Sequence, residues 1–122
     1  MNIITLCGST KYKNEFVLIN KWLTLHKNIV ITVSMFGHSD SEPLNKTEKI
    51  LLDEVHKAKI DVADEIFVID VDGYIGESTK HEIEFAISKN KKVRYYSEEV
   101  NNFLIWKNDF YNRREKDINW NN

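Results

Sequence analysis

Three short runs rich in apolar, β-branched residues constrain the fold of this chain more than any other sequence feature. They cover residues 3–7, 29–33 and 65–70, and within each run the apolar residues are near-continuous rather than alternating. Such runs are typical of strands that are buried on both faces of a parallel sheet. A fourth run over residues 92–96 alternates more strongly, which indicates a strand nearer to an edge of the sheet.

Segments with the period of an α-helix follow each of these runs. Their apolar stripes are Tyr12, Phe16, Ile19 and Leu23; Ile50 or Leu51, Val55, Ala58 and Val62; Ile83, Ala86 and Ile87; and Val100, Phe103, Leu104, Trp106 and Phe110. Asn45 and Glu48 have the spacing of a capping box, which predicts the start of the second helix. The alternation predicts one α/β domain over residues 1–122, with a doubly wound, mainly parallel sheet of four to five strands and flanking helices. A flavodoxin-like or Rossmann-like strand order such as 2-1-3-4 is expected.

Composition narrows the classes of partner. The net charge is −2 and the pI is near 6.1, so neither nucleic acid nor an anionic membrane is expected as a partner. No apolar run approaches the roughly 20 residues of a membrane span, and no signal peptide is recognisable, which favours the cytoplasm. The single cysteine allows no intrachain disulfide, and no cluster has metal-ligand spacing, so no metal is expected. Dinucleotide and Walker A motifs are absent, and no cofactor is expected.

The loop after the first strand contains Gly8, Ser9 and Thr10. Glycine permits close approach of the backbone, and hydroxyl groups beside a helix N-terminus suit a phosphate or a carboxylate. On this stretch alone, an ordinary turn with Ser9 as the helix cap is the simpler interpretation. A longer polar loop over residues 36–46 precedes the second helix, and its length suggests a functional lid.

The segment after the third strand offers more chemistry. Ser78 and Thr79 are predicted to open a helix, with Glu82 in or near its first turn. This position lies at the carboxyl edge of the sheet, where ligands bind in doubly wound folds. A competing interpretation is a capping box formed by Thr79 and Glu82, which would leave the glutamate with a structural role only. Asp70 and Asp72 similarly have an alternative as turn-forming acids.

The order and spacing of these segments resemble the nucleoside 2-deoxyribosyltransferase-like superfamily, particularly its nucleotide N-hydrolase branch. The resemblance covers roughly residues 2–96 and rests on three stretches, residues 7–9, 56–68 and 73–86. The hydrolase branch implies a catalytic aspartate on the helix before the third strand, where Asp53, His56 and Asp61 lie and none matches cleanly. Taken alone, a single helical histidine such as His56 is more simply a surface or core residue.

The resemblance implies that Glu82 is the catalytic nucleophile and that Asp72 or Asp70 assists the departing base. Where the family has a glycine after its glutamate and aliphatic pair, this chain has Glu84, which leaves the substrate open. The residues expected to bind the substrate are Gly8, Ser9, Thr10, Phe36, Tyr74, Gly76, Ser78 and Thr79.

The implied reaction is cleavage of the N-glycosidic bond of a nucleoside or nucleoside 5′-monophosphate, which releases the base or transfers it to an acceptor. The resemblance further implies a homo-oligomer, with a dimer favoured. Two alternatives remain open, namely a non-catalytic nucleotide sensor and an N-glycosidase that acts on NAD or a cyclic ADP-ribose type of signal. A domain that only binds other proteins is a third class, for which the sequence shows no clear exposed apolar stripe.

Overall fold

The predicted strands form one parallel sheet in the order β2-β1-β3-β4, as expected for a flavodoxin-like or Rossmann-like fold. A computed structural model describes residues 1–34 and 43–117, with side chains as far as residue 113. Within these residues the strands are β1 (Asn2–Gly8), β2 (Asn28–Ile31), β3 (Glu65–Ile69) and β4 (Lys92–Tyr95). All residues of β3 are buried, which accounts for its continuous apolar character.

A helix follows each strand, so the predicted alternation is confirmed. The helices are α1 (Lys13–Leu25), α2 (Lys46–Val62), α3 (Glu77–Ser88) and α4 (Tyr96–Asp117). The predicted capping box is present at the start of α2, where Asn45 Oδ1 accepts from the Glu48 amide at 2.8 Å and Glu48 Oε1 accepts from the Asn45 amide at 3.0 Å. None of the described helices has the length and apolar character needed to cross a membrane.

The two faces of the sheet carry separate cores. On one face, side chains of α1 and α4 such as Phe16, Trp22 and Phe103 pack against alternate residues of β1 and β3. On the other face, Ile60 of α2 and Ile83 of α3 pack with the remaining residues of the same strands. Because strand side chains alternate between faces, a strand covered on both sides needs apolar residues throughout.

The apolar stripe predicted for α2 does not face the sheet. Leu51, Val55, Ala58 and Val62 are exposed, whereas the buried residues of this helix are His56 and Ile60. The helix is therefore rotated relative to the prediction. The side that faces the sheet includes polar groups, since the Thr5 hydroxyl donates to the Lys59 carbonyl oxygen at 2.7 Å. This rotation brings His56 over β1.

The register of the sheet places two loops side by side. Gly8 at the end of β1 pairs with Ile69 at the end of β3, so the segments after these strands leave the sheet at the same level. The chain passes from β1 to β2 on one side and then to β3 on the other. This reversal opens a crevice at the carboxyl edge, where ligands bind in open α/β sheets.

Candidate active site

A pocket of about 390 Å³ lies at this edge of the sheet. Small-molecule sites usually occupy about 300–1,000 Å³, so the pocket has the size of a site for one small ligand. Its lining residues are Gly8, Ser9, Thr10, Lys11, Val33, Ser34, Leu52, Asp53, His56, Tyr74, Gly76, Glu77, Ser78, Thr79 and Glu82. Every substrate-binding residue expected from the sequence lines it except Phe36, which lies outside the described residues.

Glu82, His56 and Cys7 meet in the wall of the pocket. The distance from Glu82 Oε2 to His56 Nε2 is 3.3 Å, and the distance from His56 Nε2 to Cys7 Sγ is 3.6 Å. The three atoms all lie within 4.8 Å of one another. They converge because α2 and α3 pack side by side over β1, and each element contributes one of the side chains.

Burial controls the charge of this group. The pKa of His56 is lowered to about 4, chiefly by burial and then by the nearby Lys59, with Asp53 acting in the opposite direction. The pKa of Glu82 is raised to about 7 by burial and then by the negative charge of Asp53. At neutral pH the imidazole is therefore uncharged and the carboxyl group is about half ionised. Although the distance suits an ion pair, the contact is one between a neutral imidazole and the carboxyl group.

The capping interpretation of Glu82 is wrong. Helix α3 begins at Glu77, its N-cap is Gly76, and no side chain caps it. Thr79 is the third residue of the helix and is buried, while Glu82 lies in the second turn and contacts His56. The helix thus starts one residue before the predicted Ser78, and its glutamate is placed in the pocket instead of at the helix start.

The N-terminus of α3 supplies an anion-binding end. Glycine at the N-cap leaves the first-turn amides without a side-chain acceptor, and Glu77, Ser78 and Thr79 line the pocket there. Unsatisfied amides and the helix dipole favour a negative group at such a position. Lys11 also lines the pocket, with its Nζ 3.8 Å from the centre of the Tyr74 ring. This end of the pocket is suited to a phosphate group.

The loop after β1 is both an ordinary capped turn and part of the pocket wall, so both interpretations made from the sequence apply to it. Ser9 Oγ accepts from the Lys11 amide at 3.4 Å and caps a short 3-10 turn over Thr10–Tyr12, as expected for an ordinary turn. Gly8, Ser9 and Thr10 nevertheless line the pocket. Gly8 has φ +148°, and an added Cβ would lie 3.0 Å from the Ile69 carbonyl oxygen. Glycine is therefore required where this loop leaves the sheet.

Asp70 and Asp72 were expected to assist the departing base, but neither lines the pocket. Asp70 is buried, and its two carboxylate oxygens accept from the Ser97 amide at 2.8 Å and the Ser97 hydroxyl at 2.7 Å. It therefore fixes the start of α4. Asp72 is exposed in a turn with φ 54°. Asp72 matches the turn-forming alternative, whereas the Asp70 side chain binds the start of α4. Asp53 is an aspartate that does line the pocket.

Asp70→Ala is expected to reduce stability without reducing function. The substitution leaves the Ser97 amide and hydroxyl without their buried acceptor, which costs about 1–3 kcal/mol. Urea unfolding of the variant should show this loss, while the affinity of the pocket for a ligand, measured by calorimetry, should stay within about two-fold of wild type. A large loss of affinity in a folded Asp70→Ala protein would instead place Asp70 in the site.

Sequence reasoning named Asp53 and His56 on α2 without assigning either a role, and it missed one lysine. Asp53 and His56 are three residues apart on one helix face, which is a detectable signal for two groups that project together. Their direction toward the pocket depends on the rotation of α2, which the apolar stripe misrepresents. Lys11 belongs to a loop already identified, and its position over Tyr74 is a tertiary contact.

Comparison with known proteins gives no assignment, since no protein-family model matches the chain and a search of the curated proteins found no match. The chemistry of the pocket is therefore the basis for inferring function.

Proposed function

We propose that this protein is an N-glycosidase that cleaves the bond between base and sugar in a nucleoside or nucleoside 5′-monophosphate, with Glu82 as its nucleophile. One observation carries the proposal: Glu82 is a partly buried carboxyl group in a pocket, free of any capping role and next to a neutral histidine. The resemblance of residues 2–96 to the nucleoside 2-deoxyribosyltransferase-like superfamily, which implies the same nucleophile, supports it.

Cleavage of an N-glycosidic bond places positive charge on the anomeric carbon and ring oxygen of the sugar, as in glycoside hydrolysis. A carboxylate on the open face of the sugar stabilises that charge or forms a covalent glycosyl intermediate. Glu82 fits this role in its ionised form. A hydrogen bond from His56 Nε2 to Oε2 would hold the carboxylate in place and leave its other oxygen for the anomeric carbon.

The departing base needs a group that protonates or holds it. Asp53 fits this role, since it lines the pocket one helical turn before His56 and its negative charge raises the pKa of Glu82. Two acids at one substrate are the general arrangement for glycosidic cleavage. In this proposal Asp53 takes the place first expected for Asp70 or Asp72. Water then completes a hydrolysis, or a second base completes a transfer.

The anion-binding end of the pocket fits a 5′-phosphate. The first-turn amides of α3, the Ser78 hydroxyl and the Lys11 ammonium group all lie along this end. Binding the phosphate away from the reacting bond positions the sugar against Glu82.

Ser78→Ala is expected to separate nucleotides from nucleosides. Loss of one hydrogen bond to a charged phosphate is worth about 1.5–3 kcal/mol, so KM for a monophosphate should rise roughly ten-fold or more. KM for the parent nucleoside should change less than about two-fold, because it lacks the charged partner. Ser88→Ala at the opposite end of the same helix is the matched control. Equal effects of Ser78→Ala on both substrates would contradict phosphate binding here.

The proposed activity is tested by chromatographic detection of free base. The protein is incubated with each ribo- and deoxyribonucleoside monophosphate, with the parent nucleosides and with NAD, in the presence and absence of a second base. Release from a monophosphate establishes an N-glycosidase and identifies its substrate, and dependence on the added base makes it a transferase. Saturable nucleotide binding without release from any substrate would favour the alternative of a nucleotide sensor.

We also propose that the chain acts in the cytoplasm as a homo-oligomer, with a dimer favoured. The exposed apolar side chains Leu51, Val55 and Val62 lie on one side of α2 and form a surface that a second copy can cover. Light scattering over a range of protein concentrations tests this part of the proposal. A monomer at every concentration would contradict it.

A further inference from the structure

We propose that Cys7, His56 and Glu82 form a binding site for one Zn²⁺ ion, with the fourth coordination position open to the pocket. The three side chains supply a sulfur, a nitrogen and an oxygen, which are the three ligand atoms that zinc takes from proteins. They belong to β1, α2 and α3, so the group exists only in the folded chain. Among the described residues, this is where a cysteine, a histidine and an acid come within 4.8 Å of one another.

The spacing of the ligand atoms fits tetrahedral zinc. With a zinc–sulfur bond of about 2.3 Å and zinc–nitrogen and zinc–oxygen bonds of about 2.0–2.2 Å, sulfur and nitrogen lie about 3.5 Å apart and nitrogen and oxygen about 3.4 Å apart. The corresponding distances here are 3.6 Å between Cys7 Sγ and His56 Nε2 and 3.3 Å between His56 Nε2 and Glu82 Oε2. Two of the three ligand distances therefore match zinc geometry, and the third, between Cys7 Sγ and a Glu82 carboxylate oxygen, is within 4.8 Å.

The hydrogen bonding of His56 also favours a metal ion. Two groups approach the same Nε2 atom, which carries either one proton or one lone pair. A single nitrogen of this kind serves one well-directed hydrogen bond at a time, so Cys7 and Glu82 compete for it. A metal ion placed among the three atoms engages all of them together.

The ion can reach the site from the pocket. His56 and Glu82 line the pocket, and the Glu82 side chain is 21% exposed, whereas Cys7 is fully buried behind them. On binding, the Cys7 thiol and the protonated fraction of Glu82 release their protons to solvent, and a water molecule fills the fourth position on the pocket side. Thiolate and imidazole ligands favour Zn²⁺ over Mg²⁺, which takes oxygen ligands.

Zinc at this position has a consequence that rests on the proposed function. The ion would engage the carboxylate of Glu82, and this group could then no longer attack the sugar. Base release should therefore be inhibited by Zn²⁺ and restored by a chelator. Metal binding itself does not depend on that activity, so the two proposals can fail separately.

The test is metal titration of the full-length, chelator-treated chain by calorimetry, with Co²⁺ as a spectroscopic substitute for Zn²⁺. One ion per chain is expected, together with a thiolate-to-cobalt absorption band. Cys7→Ser should abolish the band, and Glu82→Gln should keep it while weakening Zn²⁺ binding at least about ten-fold. His81→Gln, which alters an exposed histidine outside the site, should bind as wild type does.

Each of three outcomes overturns the zinc site: absence of stoichiometric Zn²⁺ binding, a band that persists in Cys7→Ser, or Zn²⁺ affinity that is unchanged in Glu82→Gln. If Cys7→Ser does not fold, Glu82→Gln still decides, because it keeps the thiol and alters only one ligand. Stoichiometric binding with the expected band, in a protein that releases no base from any substrate, would support the zinc site and contradict the proposed function alone.

Discussion

Glu82→Gln is expected to abolish base release, with a fall in kcat of roughly 10⁴-fold or more, because an amide neither attacks the sugar nor stabilises its positive charge as a carboxylate does. The pocket should remain formed, since glutamine has the same length and can keep the polar contact with His56. Substrate binding measured by calorimetry should change only slightly. Free base quantified by chromatography gives the rate.

Glu84→Gln is the matched control, since Glu84 lies two residues away on the same helix and is exposed to solvent. Its activity should equal that of wild type. Substantial base release by Glu82→Gln would contradict the assignment of the nucleophile. A folded Glu84→Gln protein that loses activity would show that activity depends on the negative charge of α3 and not on Glu82 specifically.

The same carboxyl group sets the expected pH dependence. Only its ionised form is nucleophilic, so kcat/KM should rise with pH, with an apparent pKa near 7, and then level off. His56 does not add a second rise in this range, because burial lowers its pKa to about 4 and it is already neutral. A profile that falls between pH 6 and 8 would instead indicate that Glu82 acts as a proton donor.

Stability should show the opposite trend at this residue. The pKa of Glu82 is about 7 in the folded protein, against an ordinary value of 4.5. The protonated group therefore favours the folded state, and the free energy of unfolding decreases as pH rises from 4.5 through 7. Glutamine carries no charge at any pH, so the variant does not show this decrease in the free energy of unfolding. Glu82→Gln should therefore be more stable than wild type at pH 8.5, by on the order of 2 kcal/mol, and similar to it near pH 5.

Gly8→Ala should have the largest effect on folding of the substitutions considered. At φ +148° an L side chain is strained, and the new Cβ would lie 3.0 Å from the Ile69 carbonyl oxygen and 3.3 Å from the Ile69 Cβ. Strain of this kind costs about 1–3 kcal/mol and overpacking about 1–3 kcal/mol more. A total of about 2–6 kcal/mol is a large part of the stability of a small domain, which is about 5–15 kcal/mol.

Gly73→Ala separates strain from overlap. Gly73 also has a positive φ, +77°, but no atom lies within 4 Å of an added Cβ. Its substitution should cost only about 1–2 kcal/mol, attributable to backbone strain. Urea unfolding of both variants measures the difference. Equal losses would show that the contact between the ends of β1 and β3 is easily relieved.

The fold was largely predictable because the strands carry a strong local signal. Runs such as residues 65–70 are apolar on both sides, and a short run of this kind is typical of a strand within a covered parallel sheet. The capping box of Asn45 and Glu48 was also predictable, because it is a local signal between residues three apart in the sequence. By contrast, the direction in which α2 faces depends on the elements packed around it, and its apolar stripe pointed to the wrong side.

The candidate site was predictable where it consists of loops at the ends of strands. Gly8, Ser9, Ser78 and Glu82 follow buried strands, and topology alone brings those strand ends together. His56 could not be placed, because a residue two turns inside a helix reaches the pocket only through the rotation of that helix. The capping alternative for Glu82 could not be dismissed from spacing, since the helix start differs from the expected one by a single residue.

The two separate cores have a consequence for how this chain can change over time. Most of the aromatic packing, including Phe16, Trp22, Phe67 and Phe103, lies on the α1 and α4 side of the sheet, and the residues that surround Glu82 lie on the other. Substitutions distant from one another and without shared partners usually have additive effects. One side can therefore accumulate stabilising changes while the other keeps its chemistry.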